Sequence, residues 1–369
     1  MTLAKPTLVL DERRARRNIA RMAERARRLG VRFRPHFKTH QSQYVGRIFR
    51  EFGAEAITVS SVDMAAYFAD DGWTDILIAF PLNILEAGEI GRLASRCNLG
   101  LLVESPEGLA ELSRSIPRPV DIWVKVDVGS NRAGVDWNDR DLLTRTCHEV
   151  TRRPGLRLRG LLTHNGRTYA ARSLSALARV HADAMRKMRS ARKALATTGF
   201  EGLEISVGDT PSCSRLDDFS DADEIRPGNF VLHDVTQLEL GTCGEEAIAA
   251  AVACPVVSTH PARGEAVIYG GAIHLSKEDL LTSREGRIYG RVCRRRGSGW
   301  GGILPATTVS SVSQEHGVVK TTASELKKIK AGDILLVLPV HSCLTVNLFK
   351  EYVRLDGRRI PTIRGSGLV

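Results

Sequence analysis

From about residue 31 to residue 235, short apolar and β-branched runs alternate with longer stretches whose apolar positions recur every three or four residues. The short runs fall at residues 32–37, 56–60, 75–79, 99–103, 120–126, 158–163, 203–207 and 224–226. Helical patterns lie between them, as at residues 63–71, 84–95 and 170–198. Eight such strand–helix units predict an α/β fold, a (β/α)8 TIM-like barrel; a doubly wound parallel sheet is the alternative. After residue 236 the rhythm changes. Residues 256–258, 265–269, 307–313, 317–321 and 333–338 read as strands joined by turns, which predicts a C-terminal all-β domain. The early strand at residues 7–10 precedes the first helix and is free to join that second domain. The expected division is therefore 11–235 for the barrel and 236–369, with 1–10, for the β-domain.

A chain of 369 residues exceeds one ordinary core and has room for a buried cofactor. No apolar run approaches the roughly 18 residues of a membrane helix, and the first ten residues lack a secretion signal, so a cytoplasmic location and no membrane partner are expected. The formal charge is +11. Much of the excess sits at residues 13–28, where Ile19, Met22 and Ala23 interrupt the arginines at helical spacing; this is the solvated face of an amphipathic helix. With aromatics at 5% and no recognition module, nucleic acid is not an expected partner. The 7 cysteines are scattered without a C-x-x-C pair, against a disulfide framework or zinc ribbon. Gly297-Ser298-Gly299-Trp300-Gly301-Gly302 fits a dinucleotide fingerprint in letters only. An arginine run precedes it and no helix follows, so a glycine-rich surface loop is expected.

Four polar segments carry candidate chemistry. Arg34-Pro35-His36-Phe37-Lys38-Thr39-His40 ends the first barrel strand, where catalytic groups of such barrels gather. Cationic neighbours and partial burial would disfavour the ammonium form of Lys38, which is what an amine needs to attack an aldehyde. Gly208-Asp209-Thr210 and Arg226-Pro227-Gly228-Asn229 follow the seventh and eighth strands, the usual phosphate site of the barrel. Thr163-His164-Asn165-Gly166-Arg167-Thr168-Tyr169 ends the sixth strand with two rings able to contact a cofactor. Finally, His341 and Cys343 in Val340-His341-Ser342-Cys343 would share one face of a strand and could ligate one metal. Imidazole with thiolate favours zinc, leaving positions for water or substrate.

In this order the segments, together with Ser313-Gln314-Glu315-His316-Gly317 and the run from His341 to Leu348, resemble the D-serine dehydratase and D-threonine aldolase family. These are fold-type-III pyridoxal-phosphate enzymes related to alanine racemase. The resemblance implies Lys38 as the Schiff-base lysine, and Thr210, Gly228 and Asn229 at the phosphate. It implies Tyr169 facing the pyridine ring and Arg132 near its phenolic oxygen, with His164, beside Tyr169 at the barrel mouth, a candidate ring contact or a core histidine. His341 and Cys343 become the ligands of a divalent metal, Zn2+ before Mn2+ or Mg2+, and the assembly a homodimer with shared active sites. Two positions depart from the pattern: Asp209 puts a carboxylate at the phosphate loop, and Tyr269-Gly270-Gly271 stands where many relatives have Asp-Ala-Gly.

The implied activity is that of a lyase on a β-hydroxy D-amino acid, D-serine before D-threonine or D-3-hydroxyaspartate, giving a 2-oxo acid and ammonia. Retro-aldol cleavage to glycine and an aldehyde is the alternative; His-x-Cys rather than His-x-Asp at the metal favours dehydration. An amino-acid racemase or a non-catalytic pyridoxal-phosphate-binding protein completes the set of alternatives.

Overall fold

A computed structural model of the chain describes residues 3–367. Met1, Thr2, Leu368 and Val369, which the expected β-domain included, lie outside the described residues. The chain divides into two compact units. One comprises Arg21–Lys38 and Gly46–Gly228; the other takes the chain up to Ala20, Thr39–Val45 and everything from Asn229 onward.

After β1 (Thr7–Leu10) and α1 (Glu12–Arg28), the barrel unit contributes β2 (Arg32–Phe33), β3 (Ile57–Val59), β4 (Asp75–Pro81) and β5 (Asn98–Val103). It continues with β6 (Val120–Asp127), the short β7 (Val135–Asp136), β8 (Leu156–Leu162), β9 (Glu204–Val207) and β10 (Glu224–Ile225). Between strands lie α2 (Gln43–Glu51), α3 (Val62–Asp70), α4 (Ala87–Ala94), α5 (Leu109–Ser115), α6 (Arg140–Thr151), α7 (Leu174–Ala196) and α8 (Thr210–Arg215). Eight strands pair in parallel in the order β2-β10-β9-β8-β6-β5-β4-β3, with β7 set off beside β6. A parallel bridge between His36 and Thr58 joins the two ends. The sheet is therefore closed, not doubly wound.

The strands read as continuous apolar runs because both of their faces are covered. Ile76, Leu77, Leu101, Leu102, Ile122 and Val124 are all buried. The helices start where a side chain can take an orphan N–H: Ser61, Asp139 and Ser173 accept from Met64, Leu142 and Ala176. Along α7, Leu177, His181, Ala184, Met188, Ala191 and Leu195 form the inward stripe. The arginine-rich α1 likewise buries Ala15, Ile19, Met22, Ala23 and Ala26 and turns its charges outward.

The second unit adds α9 (Val235–Glu239), β11 (Ala250–His260), β12 (Glu265–Tyr269), α10 (Ala272–Leu275), β13 (Leu280–Thr282) and β14 (Gly286–Ile288). Then follow β15 (Gly290–Arg296), β16 (Gly299–Val312), β17 (His316–Lys320), α11 (Ala323–Leu326) and β18 (Ile334–Pro339). The unit ends with α12 (Ser342–Asn347), β19 (Glu351–Arg354) and β20 (Arg359–Pro361). Its sheet runs β12-β17-β16-β15-β18-β11-β1-β19-β20, and β12 also pairs with β11, closing part of it on itself. The early strand β1 sits inside this sheet, antiparallel to β11 and parallel to β19. The expected glycine-rich surface loop is instead a hairpin. Gly297 turns at φ 60°, and Gly299 to Gly302 already belong to β16, paired back onto β15. With no side chains to hold them apart, those glycines fit a tightly bulged ladder.

Candidate active site

In the barrel unit, Phe37 anchors the segment that presents Lys38. Its ring packs 4.9 Å from Phe49, 4.9 Å from Phe68 and 5.1 Å from Trp73. The His36 N–H donates to Pro227 O at 2.9 Å and the Phe37 N–H to Thr58 O at 2.8 Å. The backbone is thus pinned on both sides, and Lys38 is the next residue out. The partial burial expected of it is not found; Lys38 is exposed.

The loop after β9 is shaped by Gly208, whose position a Cβ would contest: it would fall 2.8 Å from the carbonyl carbon of Arg226. Asp209 caps α8, its Oδ1 accepting the Ser212 N–H at 2.7 Å. The carboxylate that would repel a phosphate is therefore turned into its own helix turn, and burial pushes its pKa up, toward the neutral form. Thr210 N–H points to the Tyr169 hydroxyl at 3.5 Å. Its Oγ1 is buried and without a hydrogen-bond partner among the described residues. A buried hydroxyl left unpaired beside a backbone N–H is the donor set a phosphate oxygen would satisfy, so these residues fit the cofactor's phosphate.

His164 offers its Nδ1 to Gly208 O at 2.6 Å. A carbonyl only accepts, so the proton of the neutral ring sits on Nδ1 and Nε2 is the bare acceptor. Burial, helped by the charges of Lys38, Arg132 and Arg226, lowers its pKa to about 3. Its ring lies 6.3 Å from that of Tyr169. Beneath, Arg226 donates through Nε to Ser206 Oγ at 2.7 Å and through Nη2 to Thr163 O at 2.6 Å. Arg132 is exposed, and its guanidinium charge is felt by both Lys125 and His164. Burial, with Arg132 beside it, holds the Lys125 ammonium below its usual range. Lys125 was missed in the sequence because nothing local says that a lysine on β6 faces inward.

In the β unit, His341 and Cys343 are not two positions of one strand. β18 stops at Pro339; His341 is the N-cap of α12, in extended geometry, and Cys343 lies in the helix's first turn. The chain bends here because Asp234 Oδ2 captures the Ser342 N–H at 2.9 Å, an orphan donor of the new helix. The two side chains still meet. Burial opposes the charge on His341, but its hydrogen bond to Cys343 and the nearby Asp234 and Glu278 outweigh that and lift it to about 9. Thr39, which follows Lys38 in the chain, brings its Oγ1 to 3.2 Å from Cys343 Sγ.

Asn229, expected at the phosphate, commits its side chain elsewhere. Its Nδ2 donates to Asp234 Oδ2 at 2.6 Å and Ser342 Oγ at 3.0 Å, and lies 3.8 Å from Cys343 Sγ. Gly228 and Asn229 straddle the division between units. Among the described residues no group of three or more His, Cys, Asp or Glu side chains could hold a metal. A metal would rest on the imidazole–thiol pair, whose donor chemistry suits zinc, and on ligands from outside the chain.

A closed parallel barrel, with a buried, unpaired Thr210 hydroxyl after β9 and an exposed lysine beyond β2, is the architecture of the alanine-racemase-like enzymes. Residues 10–234 match the alanine racemase N-terminal domain and residues 249–355 the putative serine dehydratase domain. The chain belongs to the D-serine dehydratase and D-threonine aldolase family of alanine-racemase-like proteins. It is 33% identical to D-threo-3-hydroxyaspartate dehydratase of Delftia sp. (strain HT23), over 96% of this chain and 95% of that one. Its identity to D-serine dehydratase of Dictyostelium discoideum is 27%, over 94% and 91% of the two chains. A solved structure of a cysteine-to-alanine variant of D-threo-3-hydroxyaspartate dehydratase, in the metal-free form, superposes with TM-score 0.90 at 30% identity. It covers 98% of both chains.

No helix among the described residues is long and apolar enough to cross a membrane.

Proposed function

We propose that this chain is a pyridoxal-phosphate- and metal-dependent dehydratase that converts a β-hydroxy D-amino acid to a 2-oxo acid and ammonia. D-threo-3-hydroxyaspartate and D-serine, after which two of its relatives are named, are the proposed substrates. The observation that carries the choice of dehydration is the His341–Cys343 contact at the start of α12, a soft donor pair of the kind that selects zinc, a Lewis acid suited to a hydroxyl leaving group. That a relative's cysteine-to-alanine variant was solved metal-free supports the same reading.

Pyridoxal phosphate would supply an aldehyde that takes up the substrate's amine and a ring that draws electrons from its α-carbon. A zinc ion would add a Lewis acid for the β-hydroxyl. The chain's own residues do the rest. Thr210, through its N–H and Oγ1, and the backbone of Gly228 and Asn229 hold the phosphate. Lys38 Nζ would be the covalent anchor for the cofactor and the base for the substrate's α-proton. His164, kept neutral with Nε2 unprotonated, and Tyr169, whose ring lies 6.3 Å from it, would be the uncharged partners of the pyridine ring. Arg132 holds the phenolic oxygen. A homodimer in the cytoplasm completes the reading, tested by light scattering and fractionation.

The decisive assay offers the pure, zinc-loaded protein D-serine, D-threo-3-hydroxyaspartate and D-threonine. A 2-oxo acid and ammonia in equal amounts are expected from at least one of the first two. Glycine and an aldehyde (glyoxylate from the hydroxyaspartate), with no ammonia released from any of the three, would replace dehydration by retro-aldol cleavage. Lys38→Ala should lose the visible absorbance of the cofactor-loaded protein; an unchanged band would remove Lys38 from its role.

A further inference from the structure

β6 ends at Asp127, and the loop that follows folds back onto its carboxylate. Oδ1 accepts the N–H of Gly129 at 2.8 Å and of Ser130 at 2.7 Å, and Oδ2 accepts that of Asn131 at 2.8 Å. Three backbone donors on one side chain leave the loop a single path, with Gly129 at φ 111° and Asn131 at φ 51°, where a non-glycine residue is rarely held. Two outside ties fasten the same loop. Lys187 on α7 donates its Nζ to Val128 O at 2.9 Å while paired with Asp183 at 3.0 Å. Ser130 Oγ accepts the Gly166 N–H at 3.2 Å. The residue carried out of this clamp is Arg132, whose charge reaches Lys125 and His164.

We propose that Asp127 is a positioning residue for Arg132, fixing the loop so that the guanidinium is preorganised toward the phenolic oxygen of pyridoxal phosphate. The inference rests on the assignment of Arg132 made above. An arginine on a free loop must order its backbone as well as its side chain at each binding event; one on a clamped loop orders only the side chain. The side-chain hydrogen bonds of Asp127 to Gly129, Ser130 and Asn131 all go to the loop backbone, and its charge also reaches Lys125, so a double-mutant cycle is needed to show that its effect passes through Arg132.

A double-mutant cycle on the full chain separates this from simple structural support. Cofactor-free wild type, Asp127→Ala, Arg132→Ala and the double variant are titrated with pyridoxal phosphate by absorbance. Each single change should weaken binding roughly 10–100-fold, as loss of an orienting outer contact does at metal sites. The double variant should bind within about twofold of Arg132→Ala alone, the mark of two residues acting as one. Losses that multiply, or an Asp127→Ala variant that binds like wild type, overturn the proposal. An Arg132→Ala variant that binds like wild type overturns the Arg132 assignment itself.

The second readout is the pH at which the bound cofactor's visible band changes. A guanidinium beside the phenolic oxygen favours its ionised form, so both single variants should move that transition upward. A merely structural role lowers the melting temperature and leaves the transition in place. If Asp127→Ala does not fold, Asp127→Asn serves: it keeps one oxygen for Gly129 and Ser130 but turns an NH2 against the Asn131 N–H. The same upward shift is expected, smaller in size, and its absence overturns the proposal.

Discussion

Replacing Asp234 by alanine should damage the β unit out of proportion to the size of the side chain. The carboxylate is 1% exposed and every oxygen is used. Oδ1 caps α9 by accepting the Gln237 N–H at 3.0 Å, and such a cap contributes about 1 kcal/mol. Oδ2 accepts the Ser342 N–H at 2.9 Å and Asn229 Nδ2 at 2.6 Å. In the variant Asn229 keeps Ser342 Oγ as a partner, but the buried Ser342 N–H keeps none, at a cost of about 1–3 kcal/mol. With the lost bond to Asn229, the total comes to about 3–5 kcal/mol. Measured by thermal unfolding of metal-free, cofactor-free protein, the midpoint should fall by roughly 6–15 °C. Zinc affinity, by chelator competition, should fall about 10–100-fold, because the α12 turn that carries His341 and Cys343 loses its anchor. A midpoint within about 2 °C of wild type would refute this account of the turn.

Two further outcomes follow from burial. His40 and His164 are both held near 3 by desolvation, whereas an unfolded histidine titrates near 6.5. Between those values the unfolded chain binds the extra protons, so stability must fall as the pH drops below about 6.5, by up to about 1.4 kcal/mol per unit for each residue. His341, lifted to about 9, acts oppositely: its contribution is full below about 6.5 and fades as the pH rises, which sets the metal-free optimum near neutrality. Urea midpoints from pH 5 to 9 test both arms, and a flat acid limb would contradict the buried neutral imidazoles. Gly208→Ala should part the ends of β9 and β10, since the new Cβ meets backbone atoms of Arg226 at 2.8–3.0 Å. Cofactor affinity should drop by more than tenfold while the circular dichroism stays native-like; unchanged affinity would detach this loop from the phosphate.

The barrel was legible because most of its strands are short apolar runs, several of them followed by a helix with a side-chain cap, as at Ser61, Asp139, Ser173 and Asp209, and those signals are local. The lysine segment was legible for the same reason: Phe37 and Lys38 alternate at a strand end, one inward and one outward. His341 and Cys343 do meet, as expected, but not as two positions of one strand. Thr345 and Val346 favour a strand by propensity, and what makes the segment a helix is Asp234, more than a hundred positions away. The Asn229 side chain is a nearer case: its amide is claimed by Asp234, five positions on, and by Ser342, which leaves only its backbone for the phosphate. The burial expected of Lys38 failed since the residue sits beyond the anchor and not within it. Asp127 did leave a trace, an aspartate followed by Gly129, Ser130 and Asn131, the composition of a side-chain-closed turn.

The place of β1 in the second sheet has a consequence for how the protein is made. Leu10 pairs with Ala250, 240 positions later, and with Arg354 on its other side. At ribosomal speeds of about 5–20 residues per second, β1 waits roughly 12–48 s for its first neighbour. Through that interval Thr7-Leu8-Val9-Leu10 is an apolar strand with two open edges, the kind of segment on which nascent chains stick to one another. Helix α1, whose arginines begin at Arg13, follows it out of the exit tunnel and keeps a strongly cationic neighbour beside that strand while it waits.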